Sequence, residues 1–442
     1  MTIRPNSRLA EFHGLRAFRH RNYRLFFGGQ LVSLVGTWMQ QVAQAWLVLQ
    51  LTNDPLWLGI VATAQFAPVI VFGLFGGIVA DHLPKRRTLL VTQLVAMVLA
   101  FVLFGLTAAH VVEVWHVMLL AALLGFANAV DMPTRQAFAA EMVGREDVSN
   151  AVGLNSALFN ASRVLGPAVA GLLIGAFDIS LAFLINGISF IAVIAAYLVM
   201  RDEELRPIPP PERPKSVRAV FENLAEGARY VRDTPIVLLA VIVVGLVATF
   251  GMNFQVLMPP FADNVLKVGA VGYGFLMAAS GLGSTVAALG VAFTRRIVPL
   301  PIVAGAVALG LASIVLAIAT NFPVSLIAML VIGAGGIGMA VTANTTIQLS
   351  VPDQLRGRVM SVYTTVFAAS VPAGGLLMGA VASSLGVASA VLLGGVLSLA
   401  VGVVSWYSLS RMRRGETRAR TNRVDVSASA SGESPLTVAR RR

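Results

Sequence analysis

GGIVADHLPKRRTLLVTQLVAMVLAFVLFGLTAAH, from Gly76 to His110, joins a basic cluster to a long apolar run and then to a gap without Lys or Arg. Residues 88–109 carry no charged side chain. About 20 such residues in a helix cross the hydrocarbon of a bilayer. Working outward, the same unit recurs along the chain. Apolar segments fall at 23–50, 57–80, 88–109, 115–139, 152–175, 179–200, 236–262, 270–294, 299–320, 323–349, 359–382 and 385–409. The gaps near Asn53 and Asp54, His110 to Glu113, Asp178, Asp263 to Lys267, Asn321, and Ser383 and Ser384 hold one Lys or Arg among them, Lys267. The other gaps and the two ends hold nearly all the rest. Lys and Arg in short loops are retained in the cytoplasm, so the alternation predicts an even number of crossings with both termini inside. Transmembrane barrel strands would alternate over about ten residues, and these runs do not.

Composition agrees. Of 442 residues, 57% are hydrophobic and 12% charged, with a mean hydropathy of +0.79. A soluble domain averages about 25% charged residues. The net charge of +12 sits at segment ends and tails, where anionic headgroups and topology explain it, so no nucleic-acid partner is expected. With no Cys, disulfides, thiolate metal sites and cysteine nucleophiles are excluded. The basic start lacks the short apolar run and small-residue site of a cleaved signal peptide.

The longest polar stretch between crossings, 201–235, carries Pro207, Pro209, Pro210, Pro211 and Pro214, then a helix-like run from Val217 to Arg232. Proline favours an extended linker; the run after it has an apolar stripe suited to a membrane surface. The chain divides into a cytoplasmic segment 1–22, a six-helix bundle 23–200, a cytoplasmic linker 201–235, a second bundle 236–409 and a tail 410–442. The tail, poor in large apolar residues, is expected to be disordered. One constant offset places Gly125 on Gly333, Val143 on Val351, Gly166 on Gly374 and Gly171 on Gly379. Gly59 falls near Gly274 at a slightly different offset. Paired six-helix repeats around a midplane site are how alternating-access transporters are built.

Charges inside apolar segments are costly and mark function or a partner. Asp131 and Arg135 stand in the fourth segment, and Arg163 stands near the middle of the fifth. The second half has Met339, Ala343 and Val371 in their places. Asp131 and Arg163 are expected to pair, either as a permanent salt bridge or as a proton-coupling site that Arg135 assists. Cavity candidates are Trp38, Gln41 and Gln44 on segment 1, Asn253 on segment 7 and Tyr363 on segment 11, with Gln255 beside them. Amides with aromatics suit a partly apolar ligand, and they also join packed membrane helices. No phosphate-binding P-loop is present, the five His do not cluster as a metal site, and no enzymatic constellation is visible. The glycine run from Gly333 to Gly338 lies inside an apolar segment and reads as close packing.

Gly77, Asp81, Lys85 and Arg86 match the loop pattern G-x-x-x-D-(basic)-x-G-(basic)-(basic) of the major facilitator superfamily, with His82 and Pro84 as departures. Gly166, Pro167 and Gly171 resemble the glycine–proline motif of its antiporter branch. Residues 18–52, together with Asp131, Pro133, Arg135, Arg163, Gly166 and Pro167, resemble bacterial exporters related to the enterobactin exporter and macrolide efflux proteins. The resemblance implies an all-α membrane protein with 12 transmembrane helices in two six-helix halves. It assigns gating to Gly77, Asp81, Lys85, Arg86, Gly166, Pro167 and Gly171. It implies a monomer in the inner membrane, exporting a small organic molecule against protons, without cofactor or metal and in contact with membrane lipids. The alternatives are a lysophospholipid or other lipid transporter, an importer of organic anions, and a non-transporting receptor or assembly protein.

Overall fold

The computed structural model describes residues 13–206, 217–294 and 298–431, with the backbone only at 13, 73–82, 217, 413 and 415–431. After a short turn at His13–Arg19 come α1 (Arg21–Thr52), α2 (Pro55–His82), α3 (Lys85–Ala108), α4 (Val114–Val143), α5 (Val148–Ala176) and α6 (Ser180–Val199). Then follow α7 (Val217–Asp233), α8 (Pro235–Gly251), α9 (Phe254–Pro260), α10 (Gly269–Ala292), α11 (Leu300–Ile318), α12 (Phe322–Ser350), α13 (Asp353–Leu385) and α14 (Val387–Ser431). Among the described residues, eleven helical stretches are long and apolar enough to cross a membrane. This is a multi-pass, all-α membrane protein. The first helix, α1, is long enough but is not among the eleven; Arg21, Arg24 and glutamines at 30, 40, 41, 44 and 50 make it more polar.

Helix ends follow local chemistry. Asn53 closes α1 in the left-handed conformation (φ 50°), its N–H donating to the Leu49 carbonyl, a role Asn fills with little strain. The Asn321 side chain accepts from the Val324 N–H at 3.5 Å to cap α12, with Pro323 in the first turn where no N–H is needed.

Three segments differ from the sequence reading. The seventh is not one helix: α8 ends at Gly251, α9 restarts at Phe254, and Phe261–Val265 winds wider as a π-helical turn. Gly251 ends the first piece, and Pro259 and Pro260 remove N–H donors from the second. In the linker, α7 docks on the basic end of α13: Glu226 pairs with Arg358 at 2.5 Å and Gly227 abuts the Arg358 carbonyl. The proline run 207–216 lies outside the described residues. Finally, α14 continues as helix to Ser431, where the reading expects a disordered tail from 410. The Arg-, Ala- and Glu-containing sequence from Arg411 to Arg420 favours helix. Residues 432–442 lie outside the described residues.

Helix ends alternate between a basic face (Arg21, Lys85, Arg201, Arg358) and a far face (Asp54, Glu113, Asp178, Asp263). Helices α1 to α6 pack together, as do α8 to α14, and the two groups join chiefly through α5 on α10 and α2 on α13. Both crossings are glycine-made. A Cβ on Gly274 would lie 2.5 Å from the Pro167 carbonyl oxygen, and one on Gly59 would strike the Gly375 carbonyl. Gly171 meets the backbone of Ala270 and Gly274, and Gly379 meets that of Pro55 and Leu56. The offset that relates Gly171 to Gly379 also relates Pro167 to Gly375, so the two crossings are copies of one contact. Both lie toward the far face. At the basic ends, Gly153 on α5, Gly290 on α10 and Gly357 on α13 face open space. The halves touch at one end and splay at the other.

Candidate functional site

The wedge between the halves is a cavity closed at the far face and open toward the basic face, and α1 runs its length. At the closed end Trp46 of α1 stacks on Tyr273 of α10, ring centroids 6.1 Å apart, both rings buried. Below that plug lies a group of amides. Gln44 Nε2 donates to Gln65 Oε1 at 3.2 Å, and Gln255 Nε2 donates to Gln41 Oε1 at 3.2 Å across the halves. Gln41, Gln44, Gln65, Phe66 and Gln255 line a pocket of about 390 Å³, counting the part open to its surroundings. Gln41 and Gln44, two of the cavity candidates, both line it. Gln65 was missed, although one amide inside an apolar run is the same signal that singled out Gln41.

One turn toward the basic face stands Trp38, edge-on to Phe159 at 5.5 Å, with the Arg163 guanidinium 5.8 Å from its ring centroid. Arg163 is half-buried and has no carboxylate within ion-pair distance among the described residues. Its helix is held by the glycines of the motif: Gly166 abuts Trp38 Cβ and the Val35 carbonyl, and Gly281 of α10 abuts the Arg163 carbonyl. A half-buried cation beside the Trp38 ring can take an anionic or hydrogen-bonding ligand group.

The expected pairing of Asp131 with Arg163 is not what the structure contains. Asp131 pairs with Arg135 instead. The reason is local: residues four apart on one helix share a face, and Arg135 is the cation within ion-pair distance of Asp131 among the described residues. Asp131 is 1% exposed and also accepts from Thr92 Oγ1 and Gln93 Nε2, each at 2.8 Å. Arg135 Nη1 donates to Gln30 Oε1 at 2.9 Å, and Gln30 Nε2 donates to the Tyr197 hydroxyl at 3.3 Å. The acid thus binds α1, α3, α4 and α6 of one half together near the basic face. Arg135 Nε finds no acceptor among the described residues.

Two cavity candidates are placed elsewhere. Asn253 is 6% exposed, and its Nδ2 donates to the Thr249 carbonyl at 2.6 Å, satisfying the break between α8 and α9. Tyr363, also 6% exposed, donates to the Ala340 carbonyl at 3.1 Å and fixes α13 to α12. Both spend their polar groups on backbone, and Gln255 is the segment-7 amide that reaches the pocket.

The basic residues of the expected gating loop work within one half. Lys85 pairs with Glu141 at 2.8 Å. Arg86 donates to the Tyr197 and Leu198 carbonyls and pairs with Asp202 at 2.6 Å, a cation at the negative end of α6. Gly77 and the Asp81 side chain lie outside the described residues. No group of three metal-ligating side chains occurs among the described residues.

The major facilitator family described as transmembrane secretion effectors matches residues 13–431. The chain is similar to the multidrug efflux pump Tap of Mycolicibacterium fortuitum, 29% identical with 87% of this chain and 94% of that protein covered. It is 22% identical to the staphyloferrin A transporter of Staphylococcus aureus, covering 87% and 95%. Among solved structures, the nucleoside transporter NupG superposes with a TM-score of 0.70 at 13% identity, covering 88% of this chain and 99% of that one. With its fold and its relatives in agreement, this chain is a transporter of the major facilitator superfamily, in the transmembrane secretion effector family.

Proposed function

We propose that the protein exports a small organic molecule, drug-like or siderophore-like, by proton antiport and alternating access. Its basic face lies in the cytoplasm of a bacterial inner membrane, α1 supplies the twelfth crossing, and the monomer suffices. One observation carries this reading: a polar cavity between the halves, sealed at the far face and open at the basic face, is the arrangement of a carrier ready to load from inside. The names of the efflux pump and the siderophore transporter support the cargo class.

In this mechanism Arg163, Trp38 and the amides at Gln41, Gln44, Gln65 and Gln255 hold the cargo. Asp131 carries the proton. Protonation removes the charge that holds Arg135, loosening its bond to Gln30 and therefore α1, the helix that lines the cavity. Cargo and proton then act on one helix from different levels. The glycine crossings at Gly171 and Gly379 are the far-face contacts that part as the halves rock.

The test uses proteoliposomes with an imposed pH gradient, recording lumenal pH while siderophores, macrolides, amphipathic dyes or lysolipids are added. A cargo-dependent proton leak, abolished in Asp131→Asn, is the expected result. Cargo movement without proton flux would remove the antiport step. Failure of folded protein to move any of the panel would remove the exporter reading.

A further inference from the structure

One wide groove in the described structure lies apart from the central cavity. It lies between α3 and α4 on the outer surface of the N-terminal half and holds about 1200 Å³, counting the part open to its surroundings. Val91, Val95 and Leu99 of α3 face Leu123, Phe126 and Val130 of α4 across it. Val91 is 61% exposed and Phe126 is 45% exposed. In water that would be an adhesive patch; in a bilayer it is a seat for hydrocarbon.

Its length matches one leaflet. From Arg87 to Leu99 is about 18 Å at 1.5 Å per helical residue. Half of a hydrocarbon core about 30 Å thick is about 15 Å. The polar groups on the groove floor are turned inward. Thr88 donates to the Pro84 carbonyl at 3.2 Å, and Thr92 donates to Asp131 at 2.8 Å.

The end of the groove on the basic face carries charge. Three consecutive cations begin α3, and two of them are engaged, Lys85 with Glu141 and Arg86 with Asp202. The third, Arg87, is exposed, lines the groove mouth and has no partner among the described residues. An apolar channel one leaflet deep with an exposed cation at headgroup level complements a lipid with a net negative headgroup.

We infer that the α3–α4 groove binds an anionic diacyl phospholipid from the leaflet on the basic side, its phosphate on Arg87 and one acyl chain along Val91, Val95 and Phe126. That chain covers Thr92 and so shields Asp131 from the side. The site is separate from the cargo cavity and stands whether or not the protein exports anything.

The test is native mass spectrometry of the purified full-length protein with equimolar phosphatidylglycerol and phosphatidylcholine of identical chains. Wild type should retain phosphatidylglycerol preferentially. Arg87→Gln should lower that preference about fivefold, while Arg87→Lys keeps most of it, because one basic residue near an anionic headgroup is worth about that factor. Val95→Trp, which fills the groove from an exposed position, should reduce retention of both lipids without changing the unfolding temperature. Equal retention of the two lipids by wild type would overturn the proposal, as would an undiminished preference in Arg87→Gln.

Discussion

Protonation of Asp131, the step proposed above, would strip the ion pair to Arg135 of its charge while the bonds from Thr92 and Gln93 persist in weakened form. The arginine is then the exposed liability: its side chain is 27% accessible, and its remaining side-chain partner is Gln30. Breaking a buried pair from one side typically costs about 3–5 kcal/mol because it strands the other charge. Asp131→Asn should therefore lower stability in detergent by about 3 kcal/mol, and Asp131→Asn with Arg135→Gln should recover part of it. Thermal unfolding of wild type, Asp131→Asn, Arg135→Gln and the double variant measures this. An additive double mutant would mean that the two residues do not act as a pair. Asp178, outside the spans, is the control. The Ser180 hydroxyl, then the Ser180 N–H, holds its carboxyl below the ordinary range. With a lowered folded pKa, its contribution to stability is present above the unfolded value of about 3.9 and is lost as pH falls through the folded one. It stays charged at any pH a transport assay uses, so Asp178→Asn should leave the pH profile of transport above about pH 5 unchanged. At this scale the sequence was partly legible. A midspan charge demands a partner, and that much could be read for Asp131. Which arginine answers depends on side-chain direction and helix rotation, which spacing alone does not report for Arg163.

On α5, glycine has two uses that one substitution separates. Gly153 has open space around it, whereas Gly171 is pressed against the backbones of Ala270 and Gly274 at 2.9–3.1 Å from where a Cβ would be. Gly153→Ala should stabilise the protein by about 0.5–1 kcal/mol through helix propensity. Gly171→Ala should destabilise it by about 1–3 kcal/mol through overpacking against atoms that cannot move aside. Unfolding midpoints would show the opposite signs, and equal signs would refute the crossing described for α5 and α10. The repeat of glycines between the halves was legible because close approach admits no other residue. The interruption at Met252 and Asn253 was not, since apolarity runs unbroken through it. Neither was the continuation of α14, because a polar tail with good helix formers reads equally as coil until something shows it wound.

For the molecule as a whole, the absence of cysteine makes the closed face directly testable. A Cβ on Gly379 would stand 3.4 Å from the Leu56 Cα, close enough for a disulfide between the halves in Leu56→Cys with Gly379→Cys. The pair should crosslink under mild oxidant with no background, stop transport, and regain it on reduction. A crosslinked protein that still transports would show that the far face need not open. The all-α membrane fold and the family were legible from apolarity, charge alternation and a few motif residues. The depth of the cavity and its Gln65–Gln255 lining emerge only once the two halves are set against each other.

The ion pairs described above and their neighbours on the surface each lie within one half or the other; none of them bridges the two. What holds the far face shut is van der Waals contact between bare backbones, two stacked rings and one amide-to-amide bond. Salt screens charges over about 8–10 Å, but it has nothing here to screen. The opening step should therefore run at the same rate in dilute and concentrated electrolyte, so a cell in brackish or fresh surroundings would keep the same gate.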